Sequence, residues 1–228
     1  MTCKCSVSKK LWGSAILVII IISACTLFAY TSSQDTLKTS IQTGLKSTAG
    51  VMATQVNASD ITSLKPGDEL SPRYMAVVNN LKTMRSMNDH IVNAYILKVN
   101  PDQSVTFLVD DLYPEDPQGS AKIGELSTSP DKLEIFSALS GPTASKAPYT
   151  TKYGSFMSAY APIDDSNAGS TGNTYAVLAI DMTANDYVAA TSRGGAILVA
   201  GLVSIIIAVG AIAIIGRKLR KDEEPEQK

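Results

Sequence analysis

The chain has 228 residues, 45% of them hydrophobic, and a formal net charge of −1. Residues 31–193 carry 12 basic and 17 acidic side chains, so they lack the basic excess that a nucleic-acid partner calls for. The three cysteines are Cys3, Cys5 and Cys25; no disulfide framework supports the remaining chain, which must rest on its own core.

In chain order, residues 1–10 are a short basic tail with Lys4, Lys9 and Lys10. Cys3 and Cys5 fit lipidation or two ordinary thiols. With no histidine or further cysteine nearby they do not complete a zinc shell. Residues 11–30 carry no charge and are rich in Ile, Leu, Val and Ala, long enough to cross a bilayer core of ~20 apolar residues. The order Ile22, Ser23, Ala24, Cys25 resembles a lipoprotein cleavage motif, but Thr26 to Tyr30 continue the apolar run. The reading here is an uncleaved helix in which Cys25 is a small membrane residue.

From Gln34 to Asn57 apolar residues recur at helical spacing: Leu37, Ile41, Leu45, Met52 and Val56. This predicts a helix with one packing seam, facing its own domain or the same helix of a second subunit. Asn57, Ala58 and Ser59 form a glycosylation acceptor pattern. Leu64, Pro66, Gly67 and Asp68 predict a turn. A second helix is expected from Ser71 with Pro72 at its first position, running to about Asn88.

Residues 91–99 and 105–110 read as a hairpin around the turn at 100–103. Residues 111–129 hold Pro114, Pro117, Gly119 and Gly124 and read as a long irregular loop. Residues 130–139 predict a short helix capped by Ser129. Two alternating runs follow. Met157, Ala159, Ala161 and Ile163 share one face, as do Ala176, Leu178, Ile180 and Met182. The opposite face carries Phe156, Ser158, Tyr160 and Pro162, with Tyr175, Val177, Ala179 and Asp181. Residues 165–169 read as the turn between the runs. The apolar face must be covered; the other lines a small-molecule pocket or meets solvent. The fold class is α+β, helices with a long N-terminal member on an antiparallel sheet.

Residues 194–216 form a second apolar run. Ala196, Ala200, Ser204 and Ala208 recur every four residues along it, a spacing that lets helices approach closely. With the seam at residues 37–45 they motivate a homodimer. Arg217, Lys218, Arg220 and Lys221 follow. Basic residues outside both apolar runs predict a two-pass protein of the plasma membrane, with tails 1–10 and 217–228 cytoplasmic and 31–193 outside.

Catalysis finds little support. His90 is the only histidine, so neither the usual hydrolase triads nor a zinc site can be assembled. Asp110 and Asp111 are adjacent on a strand and point to opposite faces. The expectation is no enzyme, no cofactor and no metal.

Four segments in order resemble the Cache class of extracytoplasmic sensor domains, whose fold is PAS-like: Ala94 to Lys98; Phe107 to Asp110; Lys122 to Gly124; and Tyr149 to Gly154 through Ser158–Ile163 to Ala179–Asp181. The resemblance covers most of residues 31–193, and the position between two membrane runs also matches. It implies a ligand pocket over the sheet and signalling through the second membrane helix. It places pocket roles on Tyr95, Asp110, Tyr149, Ser158, Tyr160 and Asp181. Tyr153 stands where the family often has Trp. The Arg and Trp pair of the amino-acid-binding branch is not found, which argues against an amino-acid ligand. Asp181 beside aromatic rings suits a cationic amine. Residues 217–228 hold no output domain, so signalling would run through a separate cytoplasmic protein. The rival class is a non-sensing structural or interaction protein of the cell surface.

Overall fold

The structure, a computed structural model, describes residues 4–164 and 176–222; for residues 4–12, 193 and 219–222 only the backbone is described. The expected turn at 165–169, Tyr175 and Cys3 lie outside the described residues. The chain divides into two compact units, Lys38–Ala190 and Met1–Leu37 with Thr191–Lys228.

Helix α1 runs unbroken over Lys4–Ala53, joining the apolar run 11–30 to the helix expected from Gln34 through polar Thr31, Ser32 and Ser33. The hydroxyls of Thr31 and Thr36 do not break it. They donate back to the carbonyls of Leu27 and Ser32 at 3.1 and 2.8 Å, the in-helix outlet for such side chains.

In the unit that holds both chain ends, the apolar part of α1 lies with helix α6 (Gly195–Asp222). Among the described residues two helices are long and apolar enough to cross a membrane. Their outward side chains, among them Leu17, Phe28 and Ile207, are exposed. Such a surface is compatible with a two-pass membrane protein, because lipid rather than water suits it. The covered face of α6 follows Ile197, Gly201, Ile205 and Ala208. Gly201 stands against Thr26: a Cβ added there would lie 2.9 Å from the Thr26 Cβ. Gln34 donates to the Thr191 carbonyl at 3.0 Å. Of the stripe that motivates a second subunit, Ala196, Ala200 and Ser204 are exposed and Ala208 is part-covered.

In the other unit, α2 (Ala58–Ile61) is a single turn capped by the Asn57 side chain, which accepts from Ser59 N. Helix α3 (Pro72–Arg85) starts as expected: Ser71 caps it by accepting from Tyr74 N, and Pro72 is in its first turn. It stops at Arg85, three residues short of the expected end. The strands are β1 (Asn93–Val99), β2 (Val105–Asp110), β3 (Thr143–Ala144), β4 (Tyr149–Thr151), β5 (Gly154–Pro162) and β6 (Ala176–Thr183). They form one six-stranded antiparallel sheet in the order β2-β1-β6-β5-β3, with β4 also pairing with β5. Between β4 and β5 the chain reverses at Gly154, whose φ of +140° an L side chain rarely adopts. A Cβ there would also stand 2.6 Å from the Phe156 ring.

The first face of the sheet is the predicted apolar one. Ala94, Ile96, Met157, Ala159, Ala161, Leu178 and Ile180 pack in one core with Leu45, Ala49 and Met52 of α1 and Tyr74, Val78 and Leu81 of α3. Leu45 and the partly buried Ile41 therefore face their own domain, one of the two settings the sequence leaves open for this seam. The second face is not solvated. Tyr95, Leu97, Phe107, Tyr160, Val177 and Ala179 pack with Ile135 and Ala138 of helix α4 (Lys132–Ala138) and with Ala121. The loop 111–129 is tied along β2: Phe107 N donates to Glu125 O, and Gly124 N to Phe107 O, at 2.9 and 2.8 Å. This occupies an edge that would otherwise be open to pairing.

Candidate functional site

The register of the sheet builds the site. Asn93 pairs with Asp181, and Asp181 with Ser158, so these three lie in one row across β1, β6 and β5. The next row on that face is Tyr95, Ala179 and Tyr160. Tyr95 also pairs with Asp110 of β2. Side chains alternate between faces, so the polar groups of both rows stand on the face away from α1.

A pocket with about 40 Å³ of free volume opens over this face. Its walls include Tyr95, Asp110, Tyr149, Tyr153 and Asp181, with Phe107 and Phe156. No Lys, Arg or His is among its lining residues. Four of the six residues singled out from the sequence thus line it. Ser158 and Tyr160 do not. Both are fully buried beneath the Tyr149 hydroxyl, which meets Ser158 Oγ at 2.7 Å and Tyr160 Oη at 3.1 Å.

Asp181 is 3% exposed. Its Oδ1 accepts from Ser158 Oγ at 2.5 Å and Tyr95 Oη at 3.1 Å, and its Oδ2 from Asn93 Nδ2 at 3.3 Å. Burial dominates these three donors and pushes the carboxyl up to about 7; Asp110 nearby adds to the rise. Asp110 is raised to about 6, again mainly by burial. Its two oxygens accept from Leu112 N and Ala121 N at 3.0 and 2.9 Å, which hold both ends of the following turn. Asp111 points the other way, as the strand geometry predicts, to Ala94 N and to Arg85 Nε at 3.2 and 2.5 Å. Burial raises Tyr149 to about 12, so its hydroxyl keeps its proton at neutral pH.

Three residues of the site escape a sequence reading. Asp131 sits at the head of α4 but makes no capping hydrogen bond. The expected cap, Ser129, accepts instead from Asp131 N at 3.2 Å, and the helix begins two residues later than expected. The Asp131 carboxylate turns inward and accepts from Tyr160 Oη at 3.1 Å and from Ser145 Oγ. Burial pushes it up as well. Tyr74 reaches from α3 to the Asp110 backbone, accepting from its N and donating to its O, both at 3.2 Å. Glu125 accepts from Lys152 Nζ at 2.6 Å and from the pocket residue Tyr153, so it ties the loop to the β4–β5 turn. An Asp at a helix head reads as a cap, and a Tyr at helical spacing reads as core; neither pattern signals a site.

Among the described residues no group of three or more His, Cys, Asp or Glu is placed to hold a metal ion. The arrangement is a small, acidic, aromatic-walled pocket. It can accept hydrogen bonds and offset a positive charge, and it holds no side chain that would offset a negative one. No protein-family model matches the chain, and no curated protein matches it.

Proposed function

We propose that residues 31–193 are an extracytoplasmic sensor domain of the Cache, PAS-like type, carried on two membrane helices, with a small organic cation as its ligand. A single observation carries the reading. Two buried carboxylates, Asp110 and Asp181, face an aromatic-walled pocket without a cationic side chain among its lining residues. A buried charge is costly unless it is paired. An alkylammonium ion supplies the pair through a charge-assisted hydrogen bond and cation–π contact. The antiparallel sheet, covered by α1 and α3 on one face and carrying the small pocket beside α4 on the other, supports the resemblance to the sensor family. Occupancy would pass through β6 and helix α5 (Ala184–Thr191) to a partner chain.

The size of the pocket favours a second reading. About 40 Å³ holds only about two or three water-sized groups. A pocket that stays this narrow suits a structural or interaction protein whose polar core specifies the fold. Calorimetry of the full chain in lipid nanodiscs separates the two. Sensing predicts saturable binding of ethylammonium and none of propionate. Heats for ethylammonium no larger than those for propionate would leave the structural reading.

A further inference from the structure

Beneath the pocket a hydrogen-bonded chain joins two buried carboxylates. It runs from Asp181 Oδ1 to Ser158 Oγ at 2.5 Å, to Tyr149 Oη at 2.7 Å, to Tyr160 Oη at 3.1 Å and to Asp131 Oδ2 at 3.1 Å. Four oxygen–oxygen contacts are therefore made by three hydroxyls. Each hydroxyl brings one proton. If both carboxyl groups are ionised, three protons must serve four contacts, and one contact has lone pairs on both sides. Among the described residues no neighbour fills the gap: the Ser129 hydroxyl, beside Tyr149, would bring its proton to a contact outside these four. The Tyr95 hydroxyl is spent on Asp181, the Ser145 hydroxyl on Asp131, and the Asn93 amide on the other oxygen of Asp181.

The charged and titratable groups around the chain favour a fourth proton. Asp181 is faced by Asn93 and Tyr95 from β1, by Asp110 from β2, by Tyr149 from β4 and by Ser158 from β5. Asp131 is faced by Ser145 and Tyr160, with Glu134 and Lys146 nearby. The one cation in this set, Lys146, is 81% exposed and already paired with Glu134 at 3.2 Å.

We propose that Asp131 and Asp181 hold one proton in common, relayed through Ser158, Tyr149 and Tyr160. With the proton on Asp181, its O–H donates to Ser158, Ser158 to Tyr149, Tyr149 to Tyr160 and Tyr160 to Asp131. With the proton on Asp131, every donor in the row reverses. Four protons then serve four contacts in either direction, and the two groups together carry a single negative charge. Sites coupled in this way titrate as a pair rather than singly. The inference stands on the resting protein and does not depend on a ligand.

The test is carboxyl-carbon NMR of the full chain in micelles, with ¹³C-labelled aspartate, followed across pH. Asp131→Asn supplies the missing donor, because its amide N–H can give to Tyr160 and complete the row with Asp181 ionised. The Asp181 midpoint should fall by more than about one unit, the coupling that marks a shared titration. In a Tyr149→Phe background the row is cut, and Asp131→Asn should then leave Asp181 where it was. An Asp181 midpoint unmoved by Asp131→Asn overturns the proposal. So does a shift that survives Tyr149→Phe, since plain charge repulsion would explain it. If Asp131→Asn does not fold, Asp181→Asn read at Asp131 gives the same test in mirror image.

Discussion

Replacing Asp181 by Asn removes a charge and turns one acceptor oxygen into a donor, which meets the Asn93 amide once that amide rotates to accept. The side chain is 3% exposed, and its neighbours Ser158, Tyr95 and Asn93 carry hydroxyls and an amide that can each give or accept, so an amide can be served in either orientation. Burial lifts the carboxyl from 3.8 to about 7. At 1.36 kcal/mol per unit, a rise of about three units puts the ionised form at a disadvantage of ~4 kcal/mol in the folded chain. The folded value lies above the unfolded one, so the stabilising form is the protonated one. Its contribution is full below about pH 4, falls as pH rises, and is lost above about pH 7. Asn cannot ionise and does not lose it. At pH 8 the empty Asp181→Asn protein should therefore melt no lower than the parent, and its melting temperature should vary less between pH 4 and 7. A kcal/mol corresponds to roughly 2–4 °C for a domain of this size, well within reach of a scan.

Ligand binding should move the other way. A hydrogen bond to a charged group contributes about 1.5–3 kcal/mol, so Asp181→Asn should weaken ethylammonium roughly ten- to hundred-fold. Calorimetry of the full chain in nanodiscs at pH 8 reads the affinity, and scanning of the same samples reads the stability. Unchanged ethylammonium affinity would refute the anchor role. A melting temperature lowered by more than about 5 °C at pH 8 would refute the charge argument itself and make the side chain a structural one.

Asp110→Asn should behave differently, because both oxygens of Asp110 accept backbone N–H groups of Leu112 and Ala121; an amide facing one of them should cost about 1–3 kcal/mol, seen as a lower melting temperature at every pH. Tyr74→Phe should also destabilise, by about 1–2 kcal/mol in denaturant titrations, since its hydroxyl serves both polar groups of the Asp110 backbone. Gly201→Leu should destabilise the packing of α6 on α1 by about 1–3 kcal/mol where Thr26 stands against it, while Ala200→Leu on the exposed side should not; equal melting of the two variants would discard that seam. In a chain with Cys3, Cys5 and Cys25 replaced by Ser, a cysteine at Gln118 should react with an impermeant thiol reagent on intact cells and one at Gln227 should not; equal labelling would overturn the orientation.

Face and element type were legible where the pattern is local. Met157, Ala159, Ala161 and Leu178, Ile180 alternate as strands must, and the structure buries them against helices. Ser71 and Pro72 announce the start of α3 because capping is decided by neighbouring residues. What stayed hidden is long-range. Nothing in the alternation says that β1 lies beside β6, yet that pairing sets Asn93 and Tyr95 against Asp181. Alternation puts Ser158, Tyr160 and Asp181 on one face, but Tyr149, from the next strand over, comes between the first two and the pocket. The helical seam at Ile41 and Leu45 is visible in sequence, but its partner is not: of the two settings the spacing allows, the structure shows it packed in the domain's own core.

The polar face also bears on why a chain keeps carboxylates where they cost stability. Asn at position 181 would still serve Ser158 and Tyr95 without the penalty of burying a charge, so packing alone does not account for Asp181. The same holds for Asp131, which gives up the cap of α4 to reach Tyr160 and Ser145. Both groups become favourable only when something positive arrives, either a proton within the row or a cation in the pocket. With the Asp181 carboxyl near 7, the two compete at neutral pH, and a cation that pairs with Asp181 must displace whatever proton it holds. Affinity for ethylammonium should then rise with pH, by up to about ten-fold per unit below pH 7, and level off above it. That slope belongs to the displaced proton. A titration in which ethylammonium binds equally well at pH 5.5 and pH 8 would mean that the cation does not meet the carboxylate at all.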